Sequence, residues 1–288
     1  MLERLASHLR RLRDQFGRGL ELGAHRFRVV GYHPNRLKHR EPHEPFLDAV
    51  LRRVLASRPG TVVDVGANAG QTLFKVLGIE RSRAYVGFEP QVECCFSIHQ
   101  FLKVNRLTNA IVLPLALSDT NGTVLLYADG ECDEMASVVG PNDPTGAVRS
   151  QSTWIQTRVG DELLAELGVA PIAVIKIDVE GAELRVVSGL RETLRTQRPP
   201  VIFEVLPNFF GAERTMQPDA VRERNNATAA ALFECFASVD YQVFQLDERG
   251  EATPIERFEL DDRERFVGSN FLAAPRPADA PRTESRRG

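Results

Sequence analysis

Short aliphatic runs alternate with helical segments from Thr61 onward, and this alternation constrains the fold more than any other feature of the chain. The runs are β-branched or aliphatic and are bounded by Gly or Pro, which is typical of buried strands. They cover residues 61–65, 84–88, 111–116, 173–178 and 201–205. The predicted helices cover residues 44–56, 71–79, 92–104, 182–195 and 225–238. Such alternation predicts an α/β fold with a doubly wound, mostly parallel sheet covered on both faces.

Two further patterns predict antiparallel pairing. The runs TVLLYA (123–128) and STWIQTRV (152–159) predict a small β insertion at about 120–160. The run YQVFQLD, a polar turn at 248–250 and the run SNFLAA predict a hairpin that closes the sheet with an antiparallel edge strand. The predicted domain therefore covers residues 44–274, between an N-terminal segment (1–43) and a tail (275–288) too poor in apolar groups to become ordered.

The charge distribution excludes one class of partner and singles out the N-terminus. The net charge is −3, but residues 1–53 carry +6 and the remainder −9. A nucleic-acid-binding protein would normally show a dominant basic face, so we expect no nucleic-acid partner. Residues 2–16 predict a basic amphipathic helix that is too short to be stable alone in water. We expect it to dock on the domain, on a second subunit of a homodimer, or peripherally on an anionic membrane.

The compartment is predicted from what the sequence lacks. No apolar run is long enough to span a bilayer, and the charged N-terminus does not resemble a signal peptide. The four cysteines show no metal-ligand spacing, and adjacent Cys94 and Cys95 are badly placed to bridge each other. These observations favour a soluble cytoplasmic protein with reduced thiols.

The segment TVVDVGANAGQTLFKV carries the first functional signal, a strand that runs through a glycine-rich turn into a helix. Gly66 and Gly70 tolerate positive φ and leave room for a ligand, and Asn68 is the non-glycine residue best suited to the left-handed region. Asp64 at the strand end is costly to bury without a partner. A tight connection that binds nothing is the alternative. The spacing differs from the G-x-G-x-x-G fingerprint of dinucleotide-binding proteins.

Carboxylates follow three more strands. Glu89 ends the second strand, where an acidic side chain can accept hydrogen bonds from both hydroxyls of a ribose. Lys176 and Asp178 alternate onto one face of a buried strand, and Glu204 ends the next one. Glu180 follows at a helix start, where the helix dipole alone can explain an acidic residue. Because parallel strands end at the same edge, these side chains should line one crevice.

The ordered segments DVGANAG, FEP, ALSD (116–119), KIDVEGAE and FEV resemble the signature of the FkbM-type S-adenosylmethionine-dependent methyltransferases, over roughly residues 44–275. The resemblance implies a Rossmann-like class I methyltransferase fold with seven strands, the seventh antiparallel. It also implies S-adenosylmethionine as cofactor and a sugar, glycan or polyketide-type hydroxyl as acceptor. The implied cofactor residues are Asp64, Gly66, Ala67, Asn68 and Gly70 around the methionine part, Glu89 and Pro90 at the ribose, and Ala116, Leu117 and Ser118 at the adenine.

Methyl transfer to a hydroxyl benefits from a positioned base, and Asp178 is the first candidate because its strand end lies beside the glycine loop. Glu204 and Glu180 come next, and we expect Lys176 to pair with one of these carboxylates. A less favoured alternative is that Asp178 and Glu204 hold Mg²⁺, which would orient a diol. The competing classes are an NAD(P)-dependent oxidoreductase, which the glycine spacing disfavours, and a non-catalytic nucleotide-binding protein.

Overall fold

The computed structural model describes residues 18–29, 44–140, 148–205, 218–258 and 269–277. Their main feature is an eight-stranded sheet in the order β12-β11-β13-β10-β9-β3-β4-β5. A hairpin (β1-β2) and a three-stranded sheet (β6-β8-β7) lie outside it. The strands are β1 (Arg18–Leu22), β2 (His25–Val29), β3 (Thr61–Val65), β4 (Tyr85–Phe88), β5 (Ala110–Leu113), β6 (Ala116–Ser118), β7 (Gly122–Ala128), β8 (Gln151–Val159), β9 (Ile172–Ile177), β10 (Val201–Glu204), β11 (Tyr241–Leu246), β12 (Ala252–Pro254) and β13 (Asn270–Pro275).

Helices cover both faces of the sheet, as the alternation predicts. They are α1 (Pro45–Ser57), α2 (Gln71–Ile79), α3 (Val92–Val104), α4 (Gly160–Glu166), α5 (Glu183–Ser188), α6 (Arg191–Gln197) and α7 (Pro218–Ser238). Residues of α1, α2 and α3 share one apolar cluster with Val62 and Val174, whereas residues of α5 and α7 share the other with Val63 and Ile175. Successive strand residues thus point to opposite faces, which explains why the strands are apolar almost throughout.

The predicted fold class is confirmed, with two corrections: the sheet has eight strands where seven were expected, and the antiparallel strand has a different position. Strands β5, β4, β3, β9 and β10 run parallel. The antiparallel strand β13 does not form the edge, because it pairs with β10 on one side and β11 on the other. The short strand β12 lies outside β11.

Two predicted elements are each divided in the structure. The run 111–116 contains the end of β5 and the start of β6, which lie in different sheets, because the chain leaves the main sheet after Leu113. The predicted helix 182–195 is two helices that meet at Gly189 and Leu190. A side chain at Gly189 would collide with the Ser118 backbone, so the close approach of β6 requires glycine there.

The predicted insertion is confirmed: β7 and β8 pair antiparallel over their length, and β6 joins β8 in parallel. The β1-β2 hairpin was missed by the sequence interpretation. The predicted N-terminal helix 2–16 and most of the tail lie outside the described residues, so the docking of that helix stays a prediction. Within the described part of the chain, none of the helices has the length and apolar character needed to cross a membrane.

Candidate active site

A cavity of about 740 Å³ opens at the carboxyl ends of β3, β4, β9 and β10. This is the edge at which doubly wound sheets bind their ligands. Most of the predicted site residues line it, namely Gly66, Ala67, Asn68, Glu89, Pro90, Ala116, Leu117, Ser118, Lys176, Asp178, Glu180 and Glu204. Asp64 and Gly70 do not: Asp64 is fully buried, and Gly70 is the N-cap of α2. One cavity therefore joins the predicted cofactor residues to the predicted catalytic residues.

The glycine loop between β3 and α2 turns through three residues with positive φ, Gly66 at 86°, Asn68 at 42° and Gly70 at 92°. This confirms the left-handed positions predicted from the sequence, including the one at Asn68. The space beside Gly66, however, is taken by protein. A Cβ there would lie 1.8 Å from the backbone carbonyl oxygen of Asp178. Gly66 thus lets the glycine loop and the end of β9 approach each other.

Glu89 fixes the shape of the glycine loop. The backbone N–H of Asn68 donates to Glu89 Oε2 at 2.7 Å, and the backbone N–H of Gln91 donates to Oε1 at 2.8 Å. Glu89 is 3% exposed, and this burial raises its pKa to about 7, against the opposing effect of those two hydrogen bonds. Each carboxylate oxygen can accept more than one hydrogen bond, so the ionised group keeps acceptor capacity toward the cavity.

Four charged side chains lie on one face at the ends of adjacent strands: Asp64, Lys176, Asp178 and Glu204. Asp64 lies beside Lys176 in the β3–β9 pairing, and Ile202 lies beside Lys176 in the β9–β10 pairing. Because side chains alternate along a strand, Glu204 projects from the same face as Ile202. The alternation of Lys176 and Asp178 read from the sequence thus places them, as predicted, on the face that carries the other carboxylates.

Asp64 lies beneath the cavity, where its carboxylate stabilises the charged form of Lys176. The hydroxyl of Tyr85 donates to Asp64 Oδ2, whereas Oδ1 is buried without a hydrogen-bond partner. Burial raises the pKa of Asp64 to about 6 despite the lowering effect of Lys176 and Tyr85. Gly87 leaves the room that the Tyr85 ring occupies, because a Cβ at Gly87 would lie 3.0 Å from a carbon of that ring.

Lys176 pairs with Asp178, as the sequence predicts. Lys176 Nζ donates to Asp178 Oδ2 at 2.6 Å. Burial of Lys176 favours its neutral form, but the carboxylates of Asp178, Glu44 and Asp64 outweigh it and raise the pKa of Lys176. The Lys176 ammonium therefore stays charged. It holds one oxygen of Asp178 and partly compensates the negative charge of the cluster.

The two remaining carboxyl groups at this end of the cavity, those of Glu204 and Glu180, have different surroundings. Ser269 Oγ donates to Glu204 Oε1 at 2.9 Å, while burial and the nearby Asp178 raise the pKa of Glu204 to about 7. Burial also raises the pKa of Glu180 to about 10, with further contributions from the carboxylates of Asp178, Glu204 and Glu183. Both carboxyl groups therefore hold a proton more readily than a free glutamic acid does.

A loop at 129–139, here called the flap, closes one side of the cavity. The side-chain amide of Gln91 makes two hydrogen bonds with the backbone of Asp133, at 2.8 and 2.9 Å. Asn68 Nδ2 donates to the same carbonyl oxygen of Asp133 at 3.2 Å. Ser137 Oγ donates to the backbone carbonyl of Glu180 at 2.7 Å. The flap is therefore tied both to the glycine loop and Gln91 on one side and to the carboxylate side on the other.

A disulfide also anchors the flap and corrects the expectation of four reduced thiols. Cys94 at the start of α3 is bonded to Cys132 of the flap, with their Cα atoms 5.4 Å apart. Cys95 and Cys235 are free. The pairing was missed because the two residues are 38 positions apart and only the folded flap brings them together.

Several cavity-lining residues were not singled out in the sequence, among them Glu44, Gln91, Asp133, Arg185 and Ser269. Two of them had a local signal. Glu44 precedes a proline at the start of α1, and Gln91 directly follows the FEP segment before α3. The other three reach the cavity only through tertiary contacts.

The carboxylates do not fit a magnesium site. Within the ranges the structure describes, no three His, Cys, Asp or Glu side chains come together in a way that could hold a metal ion. One oxygen of Asp178 is already paired with the ammonium of Lys176, which would repel a divalent cation.

The strand order, the antiparallel β13 inside the sheet and a glycine loop opposite an acidic strand end define a Rossmann-like class I methyltransferase fold. The profile described as "Methyltransferase FkbM domain" matches residues 64–233. The chain belongs to the FkbM methyltransferase family. This membership supports a methyltransferase over the oxidoreductase alternative.

Relatives of this chain include the 2-O-methyltransferase NoeI of Sinorhizobium fredii (strain NBRC 101917 / NGR234). The two are 26% identical over 162 residues, which make up 50% of this chain and 63% of NoeI. The chain thus matches less than two thirds of that relative's length.

Two solved structures are similar at low identity. The methyltransferase FkbM from Methylobacillus flagellatus KT has a TM-score of 0.45 at 17% identity, covering 80% of this chain and 48% of that one. The O-methyltransferase from Bacillus cereus in complex with SAH has a TM-score of 0.43 at 11% identity, covering 88% of this chain and 84% of that one.

Proposed function

We propose that this protein transfers a methyl group from S-adenosylmethionine to a hydroxyl group of a sugar, a glycan or a polyketide-type natural product. The observation that carries the proposal is the continuity of the cavity. Its cofactor end contains the glycine loop and Glu89, and its acceptor end contains Lys176, Asp178 and Glu204. The name of NoeI, a 2-O-methyltransferase, supports oxygen as the methylated atom.

The residues at the cofactor end fit S-adenosylmethionine. The Glu89 carboxylate can accept hydrogen bonds from both ribose hydroxyls while it holds the glycine loop. Ala116, Leu117 and Ser118 border the same cavity and would flank the adenine. Gly66, Ala67 and Asn68 would surround the methionine part. When bound, the cofactor supplies a methyl group activated by its sulfonium.

At the acceptor end, Asp178 is our first candidate for the base. Lys176 holds Oδ2 of Asp178, so the other oxygen can take the proton from the acceptor hydroxyl. Glu204 is the second candidate, because a pKa near 7 suits proton transfer at neutral pH. Lys176 serves as a positioning residue in either case. Transfer requires the hydroxyl oxygen, the methyl carbon and the sulfur to lie in a line, so the site must hold the acceptor and the cofactor in that orientation.

Calorimetry and a transfer assay test the proposal in sequence. We expect S-adenosylmethionine and S-adenosylhomocysteine to bind and NAD⁺ not to bind. Incubation with ¹³C-methyl-labelled S-adenosylmethionine and a panel of methyl hexosides, 6-deoxyhexosides, N-acetylhexosaminides and macrolactone polyols should give a methyl ether, detected by NMR. Binding of NAD⁺ without binding of S-adenosylmethionine would contradict the proposal, and an N-methylated product would contradict the assignment of a hydroxyl acceptor.

A further inference from the structure

The N-terminal half of α3 exposes two large apolar side chains next to each other. Val92 is 63% exposed and Phe96 is 61% exposed. They are four residues apart in one helix and therefore neighbours on the same side of it. We call this pair the α3 ridge. Apolar residues scattered singly are ordinary on a protein surface, whereas neighbouring ones form a patch that favours a partner.

The other half of α3 is covered by the β1-β2 hairpin. Phe27 of β2 is buried against Phe101, with their ring centroids 5.6 Å apart. Just beyond the end of α3, the side chain of Asn105 makes two hydrogen bonds of 2.7 Å with the backbone of Arg28. The turn of the hairpin lies at the opposite side, against Gly78 of α2. The hairpin therefore runs from α2 to α3, and its open end lies on the α3 side.

The chain that precedes this open end is the segment with the predicted amphipathic helix. Arg18 pairs with Val29 at the open end, so residues 1–17 join the hairpin near the C-terminal end of α3. As a helix, residues 2–16 would be about 22 Å long, and the 13 residues of α3 span about 20 Å. The segment is therefore long enough to lie along α3 and cover the α3 ridge.

The segment and the surface around the α3 ridge are complementary in apolar character and in charge. The predicted helix presents one apolar face, formed by Leu2, Leu5, Leu9, Leu12 and Phe16. Residues 1–17 contain four arginines against one glutamate and one aspartate. Two exposed acidic residues, Glu93 of α3 and Glu131 of the flap, directly precede or follow the cysteines of the Cys94–Cys132 disulfide, which lies beside the ridge. Opposite charges therefore favour the same placement as the apolar faces.

We propose that residues 2–16 dock as a helix on the α3 ridge of the same chain, with their apolar face against Val92 and Phe96. This names the surface for a segment that the sequence alone assigns to the domain, a second subunit or a membrane. A helix of this length is marginal by itself in water, and packing on the ridge supplies the stability that it lacks. The inference does not depend on the proposed function, because it involves neither the cofactor nor the methyl acceptor.

Hydrogen–deuterium exchange of the full chain tests the proposal. We expect the amides of residues 2–16 to exchange at least about tenfold more slowly than those of an unfolded peptide. Phe96→Asp should remove this protection, because it places a charge at the centre of the apolar contact. The matched control is Leu167→Asp, which adds the same charge at a leucine that is 37% exposed after α4, on the opposite face of the sheet. The control should leave the protection unchanged.

Four results would overturn the proposal. Unprotected amides in the wild-type protein would show that the segment does not dock. Protection that survives Phe96→Asp would place the segment on another surface. Protection that appears only at protein concentrations where light scattering gives a doubled mass would make a second copy the occupant of the ridge. Protection that appears only after vesicles of anionic phospholipid are added would assign the apolar face of the segment to a membrane.

Discussion

The two ends of the cavity are built in different ways. The cofactor end is held largely by backbone groups: the N–H groups of Asn68 and Gln91 bind Glu89, and the glycine loop turns through left-handed residues. The acceptor end is formed by side chains from separate segments, with the Lys176–Asp178 pair at its centre and Glu204 held by Ser269. Backbone geometry tolerates little change, whereas side chains can be exchanged singly. The acceptor end is therefore where we expect the substrate preference to be set.

The largest loss of binding and of stability is expected from a substitution at Gly66, where the glycine loop contacts the end of β9. Gly66→Ala places a Cβ 1.8 Å from the Asp178 carbonyl oxygen and imposes a φ of 86° on alanine. We expect loss of S-adenosylhomocysteine binding and a fall of more than about 3 kcal/mol in the free energy of unfolding. Gly168→Ala is the matched control, because its φ is 65° but nothing lies within 4 Å of the added Cβ. Equal stability of the two variants in urea would show that the contact with Asp178 is dispensable.

Removal of the proposed base should affect the acceptor end alone. We expect Asp178→Asn to lower kcat by about a hundredfold, while calorimetry gives an unchanged affinity for S-adenosylhomocysteine. Glu204→Gln is the comparison variant, since both carboxyl groups line the cavity. If Glu204→Gln shows the larger loss of kcat, the two assignments must be exchanged.

The pH should affect the cofactor end through Glu89. Burial raises its pKa to about 7, so the group becomes protonated as the pH falls from 8 to 6. If only the ionised carboxylate accepts the ribose hydroxyls, the apparent affinity for S-adenosylhomocysteine should fall about tenfold over that range. Glu89→Gln should bind more weakly and lose most of the pH dependence. A flat wild-type profile from pH 6 to pH 8 would mean that Glu89 does not titrate there.

Buried carboxyl groups with raised pKa values also predict how stability depends on pH. Burial raises the pKa of both Glu89 and Glu183 to about 7 in the folded protein, against 4.5 for a free glutamic acid. The folded state therefore binds more protons between these values, and the free energy of unfolding should fall as the pH rises from about 4.5 through 7. Each of these two groups should change the free energy of unfolding measured in urea by on the order of 2 kcal/mol between pH 5 and pH 8. Greater stability at pH 8 would contradict the assignment.

The smallest effect on S-adenosylhomocysteine binding is expected when the disulfide between the flap and α3 is removed. Cys132→Ser should weaken S-adenosylhomocysteine binding only about threefold, because the hydrogen bonds of Asp133 with Gln91 and Asn68 still hold the flap. Dithiothreitol should do the same to the wild-type protein and leave the variant unchanged. A loss as large as that of Gly66→Ala would show that the flap belongs to the rigid cofactor end.

The conformation of the glycine loop was predictable because its signals are local. Gly66, Asn68 and Gly70 occur within five consecutive positions, and positive φ is a property of single residues that the residue type reveals. The carboxylates after the strands were predictable for a similar reason, since the ends of parallel strands meet at one edge. The sheet and its insertion followed from hydrophobic periodicity, which needs no knowledge of contacts.

What the sequence by itself determined is thus the class of fold, the family and the identity of the side chains at the strand ends, because all three depend on short patterns of residue types. Only the tertiary structure decided how those side chains act. It placed the Asp178 carbonyl against Gly66, buried Asp64 beneath the cavity, joined Cys94 to Cys132 and surrounded Glu180 with carboxylates. The protonation state of a carboxyl group depends on burial and on charges brought together from distant parts of the chain, and neither is encoded in neighbouring residues.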